Sequence, residues 1–228
     1  STASPSVPKT IAEFEGRTID NNTAASYFPN VVIKDANTGA NVEVPSSIAA
    51  LAALAFNDKV SYPWFAPAGF NRGALDFVQN VGVRLTARDR DDLYDARINP
   101  IATFPNAGFV IFGQKTLQLS KSALDRVNVR RMLLEVKRIV SDVANRIVFE
   151  QNTPGTRARF VKQITPLLST IQIQQGIDTF KVVMDSSNNT QEDIENNVLN
   201  GRIVVVPTRA IEFIAMDFIL TSAGVSFE

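Results

Sequence analysis

The densest set of side chains able to do chemistry is Asp89, Asp91, Asp92 and Asp95, interleaved with Arg88, Arg90 and Arg97. Closely spaced carboxylates are the donor set for a hard metal ion held by oxygens, or for paired acid and base work. The same residues suit the start of a helix, where carboxylates face the positive end of the backbone dipole and pair with local cations. A charged helix start is the simpler of the two readings. Asp217, set in the apolar stretch Arg209–Leu220, is a second candidate. Buried alone its pKa would rise, whereas pairing with Arg209 or Arg202 would make it structural. Arg130-Arg131 is a phosphate-binding pair in principle, but Glu135 and Asp142 balance it along the same helix face. Asn21-Asn22-Thr23 and Asn188-Asn189-Thr190 match the glycosylation acceptor pattern, which matters only in a secreted protein.

The chemistry left out is broader than the chemistry offered. The chain contains no histidine and no cysteine. That removes the Ser-His-Asp triad, the thiolate nucleophile, the imidazole base, disulfides, and metal sites built on nitrogen or sulfur. No G-x-G-x-x-G or Walker pattern occurs either. Carboxylate, lysine, serine or tyrosine chemistry is what remains, and none of it has a catalytic signature. The reading is therefore of a protein that is not an enzyme and carries no cofactor and no metal.

Those side chains sit in a chain of globular composition: 228 residues, 45% hydrophobic, 20% charged, with 11 Gly and 11 Pro. Lys and Arg number 23 and Asp and Glu 23, for zero net charge. Phosphate affinity rests on clustered cations, so this balance argues against a nucleic-acid partner. The longest apolar run, Ile48–Phe56, is too short to cross a bilayer, which argues against direct membrane insertion. The opening Ser1-Thr2-Ala3-Ser4-Pro5-Ser6-Val7-Pro8 has no initiator Met and no signal-peptide pattern. Residues 1–22 read as a linker from a missing N-terminal region, with a helical stub near Ile11–Phe14, and 23–228 as one core domain.

The elements follow from local pattern. Val31–Asp35 and Asn41–Val44 around Asn37-Thr38-Gly39 predict a hairpin. Ser46 or Ser47 then caps an Ala/Leu-rich helix to about Phe56, apolar enough to expect burial on most sides. Ser61–Gly73 is an aromatic loop packed by prolines. A strand is expected at 82–85, a capping box at Thr86/Asp89 opens a helix to about Ala96, and Asn99-Pro100 breaks it. Phe109–Phe112 is a buried strand. A 3.6-residue apolar stripe predicts a helix from Val129 to about Phe149, with Arg131–Glu135 and Arg138–Asp142 paired at i,i+4. A second helix from Pro154 or Thr156 to about Gln174 contains Pro166 and ends with Gly176 as its cap. Then come a strand at 179–185, a helix from Thr190 to Leu199, and strand Arg202–Val206. Arg209–Leu220 reads as a strand apolar on both faces. The fold class is α/β (α+β): a central mixed β-sheet flanked by several helices, with a terminal strand available for sheet addition between subunits.

An ordered set of segments resembles the C-terminal core of contractile phage tail sheath proteins of the Myoviridae type. In chain order these are Tyr27-Phe28-Pro29-Asn30-Val31, Val44-Pro45-Ser46-Ser47, Trp64-Phe65-Ala66-Pro67-Ala68-Gly69, Ile98-Asn99-Pro100-Ile101 and Phe109–Leu117. Asn128-Val129-Arg130-Arg131, Val148–Asn152, Gln174-Gln175-Gly176-Ile177, Val183-Met184-Asp185 and Pro207–Ile214 complete it. Each segment is weak alone; their order across residues 23–228 is specific. The resemblance implies a virion subunit, assembled in the host cytoplasm, that polymerises helically with itself around a tail tube protein. It also implies baseplate and tail terminator partners, and contraction that drives the tube through the host envelope. Family members are joined by terminal arms that add strands to neighbouring sheets. Here that role falls on 209–228, with Ile211, Phe213, Ile214, Phe218, Val225 and Phe227 as the inter-subunit strand residues. Two other functions stay open: a sheath component of a phage-derived contractile injection or secretion system, and, more distantly, a carboxylate-dependent hydrolase.

Overall fold

Six helices and eight strands make an α+β fold in the computed structural model, which describes residues 6–214. The chain enters through α1 (Val7–Glu15), a nine-residue helix within the stretch read as linker. It is longer than the stub expected because Val7, Ile11 and Phe14 recur at helical spacing. They pack with Phe28, Leu93, Ala96 and Ile98 in one small core.

The strands divide among three small sheets. β1 (Ser26–Phe28), β5 (Ile98–Phe104) and β6 (Gly108–Ile111) form a mixed sheet, β1 running parallel to β5 and β6 antiparallel. β2 (Val31–Lys34), β3 (Asn41–Val44) and β4 (Val78–Val81) form an antiparallel sheet in the order β3-β2-β4. The expected hairpin is its first pair, with Val31 opposite Val44. Its turn is closed by the Asp35 carboxylate, which accepts from the Asn37 N–H and the Thr38 hydroxyl, while Gly39 takes the left-handed φ of 69°. The third strand lies at 78–81 rather than 82–85. Val78 and Val81 point into the core beside Leu75, whereas Val83 and Leu85 cover the α1 side.

Asn99-Pro100 does not merely stop a helix; it lies inside β5. Pro100 sits opposite Phe28, and its carbonyl still accepts from the Phe112 N–H at 2.8 Å. The buried Asn99 amide supplies the missing backbone partners. It donates to the carbonyls of Ser26 and Lys115 and accepts from the Lys115 N–H at 2.6 Å.

α2 (Ser46–Val60) outruns its expected end, and its cap position is Pro45. Ser46 instead donates its hydroxyl to the Tyr27 carbonyl at 2.7 Å. Its burial is one-sided: Ala49, Ala50, Ala53 and Asn57 are buried, while Ile48, Leu51, Phe56 and Val60 are exposed. Small residues on the inner face let the helix lie close to β1 and to the core it shares with Val31, Val78 and Val81, and the large ones are left outside. α3 (Ala87–Asp95) opens with the expected capping box of Thr86 and Asp89.

The largest core lies between α4 (Val127–Asn145), α5 (Pro154–Ile173) and the third sheet. Val129, Met132, Val136 and Val143 face Phe160, Ile164, Leu168 and Ile171. α4 stops four residues before Phe149, which is fully exposed at a left-handed φ of 70°. α5 runs unbroken through Pro166. At its end Gln175, not Gly176, takes the left-handed turn, with φ 62°. Gly176 is required for another reason: a Cβ there would meet Ile171 at 2.7 Å and the Trp64 ring at 2.9 Å. The third sheet pairs β7 (Ile177–Val183) with β8 (Arg202–Pro207), antiparallel, joined through α6 (Gln191–Glu195) with its Thr190/Asp193 capping box. α6 ends well before Leu199.

Candidate functional site: the C-terminal segment and its anchor

β8 alternates strictly. Ile203 and Val205 pack on the α4–α5 core, while Val204 and Val206 stand about half exposed on the other face. Among the described residues β7 and β8 pair only with each other, so each keeps one unpaired edge. β8 ends with Pro207 opposite Ile177, and the Thr208 N–H donates to the Gly176 carbonyl at 3.3 Å. From there to Ile214 the chain joins no strand among the described residues, so the strand expected from Arg209 is not formed over 209–214.

Among the described residues, Glu212 makes the side-chain hydrogen bonds that hold this segment to the domain. The Glu212 carboxylate accepts Arg126 Nε at 2.7 Å and Arg126 Nη2 at 2.9 Å, a bidentate pair. Tyr94 donates its hydroxyl to the same carboxylate at 2.9 Å, and Gln114 its amide at 3.2 Å. Three regions converge here: Tyr94 from α3, Gln114 from the stretch after β6, and Arg126 from the cap position of α4. The Glu212 side chain is 17% exposed, against 83% for Ile211, 80% for Phe213 and 76% for Ile214. The segment is therefore pinned at one polar point with its apolar side chains turned outward. Ile211 and Phe213 border a groove of about 230 Å³ with Arg90, Pro100, Phe112 and Gly113.

The charges of the anchor support one another. Burial alone would raise the Glu212 pKa, but hydrogen bonds from Arg126 and Tyr94 and the guanidinium charge outweigh it and hold it below the ordinary glutamate value. Burial, with the carboxylate beside it, pushes the Tyr94 phenol up, so it stays a donor. Burial opposes the Arg126 charge, yet the Glu212 bonds raise its pKa further. Lys115 sits 4.0 Å above the Tyr94 ring and donates to the Tyr94 carbonyl at 2.7 Å, fixing the ring from behind.

The residues singled out from sequence are placed differently. Asp89 closes its capping box, and hydrogen bonds from the Thr86 N–H and hydroxyl lower its pKa. Asp92 lies 3.8 Å from Arg88, Asp95 3.8 Å from Lys115, and Asp91 borders the groove beside Glu212. Among the described residues no group of three or more acidic side chains is placed to hold a metal ion. Arg131 pairs with Asp58 at 2.6 Å rather than with Glu135, which goes to Arg138; the Arg138–Asp142 pair forms as expected, at 3.0 Å. Asn21 and Asn188 bind their own turns. No described helix is long and apolar enough to cross a membrane. Of the strand residues, Ile211, Phe213 and Ile214 are exposed together; Phe218, Val225 and Phe227, and the candidate Asp217, lie outside the described residues. Glu212 was missed, although a lone carboxylate among Ile211, Phe213 and Ile214 is itself a sign of a partner.

Residues 120–221 match the family model for the phage tail sheath C-terminal domain. The tail sheath protein of Vibrio phage KVP40 is 41% identical over 173 residues, 76% of this chain and 26% of that protein. That of Enterobacteria phage T4 is 33% identical over 187 residues, 82% of this chain and 28% of that protein. The chain thus spans about a quarter of the length of the curated relatives it matches. In fold it is similar to the sheath of an extracellular contractile injection system in its contracted state. That match has a TM-score of 0.83 at 24% identity and covers 96% of this chain and 62% of the other. It is likewise similar to the contracted helical sheath of the anti-feeding prophage, with a TM-score of 0.78 over 89% of this chain and 57% of that one. Sequence relatives, family model and fold agree: the chain belongs to the family of contractile phage tail sheath proteins.

Proposed function

We propose that this chain is the C-terminal core of a subunit that polymerises helically around a tail tube and contracts to drive the tube through the host envelope. Residues 23–228 form that core, and 209–228 form the arm that joins one subunit to the next. The observation that carries this reading is a pair of complementary exposures. Ile211, Phe213 and Ile214 leave the domain uncovered, while the two-stranded β7–β8 sheet offers unpaired edges and a half-exposed Val204/Val206 face. An apolar extended segment and an open sheet edge suit each other, main-chain hydrogen bonds giving the link its strength. Such a link survives while rigid domains turn about it, so contraction needs no bound nucleotide if the contracted lattice has the larger contacts. The tube, baseplate and terminator proteins are its other partners, and the virion tail is where it acts after assembly in the host cytoplasm.

The work is association rather than catalysis: the clustered carboxylates are spent on a helix cap and on ion pairs. A sheath of an injection or secretion particle is the second reading, favoured by the fold likeness to two such sheaths. The higher identity to phage tail sheaths places it behind the first. Deletion of Thr221–Glu228 from the intact subunit tests the link. Electron microscopy is expected to show no sheaths; normal contractile sheaths from the deleted protein would sink the arm reading.

A further inference from the structure

Any arm that follows an open-edged strand in the same chain faces a competing partner: its own sheet. β8 ends at Pro207 and the apolar arm begins at Ile211. Hairpin connections are commonly two to five residues, so residues 208–212 are a sufficient loop for the arm to fold back on β8 of its own domain. Sequential strands pair readily, and an intramolecular hairpin has the advantage of high effective concentration over a neighbour. Something must keep the arm off its own strand.

We infer that the Glu212 anchor is that device: a positioning residue which takes up the would-be hairpin loop and sends the arm away from the β8 edge that it would otherwise cover. The inference rests on the arm reading above. Its grounds are geometric. All four hydrogen bonds to Glu212 come from Tyr94, Gln114 and Arg126, and none from β7 or β8. The Thr208 N–H bond to Gly176 continues the β8 line past Pro207 instead of turning it. The anchor is also oriented: a bidentate pair fixes the carboxylate plane, and Tyr94, itself held by Lys115, adds a third direction. The polar tooth at 212 thus alternates with outward Ile211 and Phe213, leaving them for a second copy of the chain.

The test uses the intact subunit with Glu212→Ala, Glu212→Gln and Tyr94→Phe, each first shown to keep a wild-type thermal transition for the domain. Sheath yield is read by electron microscopy. Amide exchange is read on β8 residues 202–207 in the unassembled subunit. Glu212→Ala is expected to lower sheath yield at least tenfold and to slow exchange at the outer β8 amides at least tenfold, because the freed arm now covers them. Glu212→Gln and Tyr94→Phe, which keep part of the anchor, are expected to fall between. A merely structural anchor would not increase protection of β8. The inference is overturned if Glu212→Ala assembles like wild type, or loses assembly with no gain of β8 protection. Failure of the arm reading itself is distinguishable: then the Thr221–Glu228 deletion assembles normally, whatever the Glu212 variants do.

Discussion

The β1–β5–β6 sheet and the β7–β8 sheet are built from similar strands and end in opposite states. In the first, β5 is paired on both edges and its first five residues are buried. Its weak point, Asn99-Pro100, is repaired by three hydrogen bonds of the Asn99 side chain. In the second, two strands share one ladder, one face rests on the α4–α5 core, and the other face and both outer edges are uncovered among the described residues. Hydrophobic content does not separate them, since β8 is the apolar run Ile203–Val206. What separates them is whether backbone donors and acceptors are satisfied inside the domain. The first sheet is finished by folding; the second keeps open edges among the described residues, which on the proposed reading a neighbouring subunit completes.

The comparison breaks if damage to the finished sheet is cheap. Asn99→Ala removes three bonds from a fully buried site and leaves the Ser26 and Lys115 groups unpaired. Each orphaned group costs about 1–3 kcal/mol, so urea unfolding of the chain is expected to show a loss of at least ~3 kcal/mol. Gly176→Ala, on the packed side of the second sheet, comes next and reads that sheet's attachment to the α4–α5 core. Its new methyl overlaps Ile171 and the Trp64 ring where β7 begins, and overpacking of this kind costs about 1–3 kcal/mol. A loss below about 0.5 kcal/mol in Asn99→Ala would remove the distinction.

The finished parts were also the more legible ones, for a physical reason. The Thr86/Asp89 and Thr190/Asp193 capping boxes, the hairpin at 31–44 and the α4 stripe are all specified by neighbours within a few residues. Strand β5 escaped sequence reading because what permits it is Asn99 reaching Ser26, 73 positions away. Helical spacing predicts Glu135 as the partner of Arg131, yet Asp58, 73 positions away, captures it. The anchor escaped for the same reason. Glu212 finds Arg126, Gln114 and Tyr94 across 86, 98 and 118 positions, and no local pattern encodes that meeting. Ile211, Phe213 and Ile214 are legible as an apolar run, but not the part played by the carboxylate among them, which bonds Arg126, Tyr94 and Gln114.

A smaller effect on stability and a larger one on assembly should follow at the open sheet. Val204 and Val206 stand half exposed on the face away from the core, so Val204→Lys with Val206→Lys is expected to shift unfolding by no more than ~1 kcal/mol. Charges on an exposed strand discourage strand addition, so sheath formation by the intact subunit is expected to fail. Stability lost as in Asn99→Ala, with assembly intact, would reverse the roles of the two sheets.

The smallest expected effect is that of pH near neutrality. Glu212 is held below the ordinary glutamate value while anchored and returns to that value when released. A carboxylate depressed in the folded state contributes fully above its ordinary pKa, and the contribution is lost as pH falls through the depressed one. Tyr94, raised in the anchor, keeps its proton beyond the ordinary tyrosine range. Between these limits neither group changes charge, and the chain has no histidine to titrate in the gap. Arm release, followed by fluorescence from a probe at residue 214, is therefore expected to be flat from about pH 6 to 8 and to rise only in acid, below the ordinary glutamate range. Arg126→Gln should move that rise upward, because burial of Glu212, which raises its pKa, would then be opposed by weaker bonds and no cationic partner in the clamp. A release midpoint that stays put in Arg126→Gln would mean that the carboxylate is not what holds the arm.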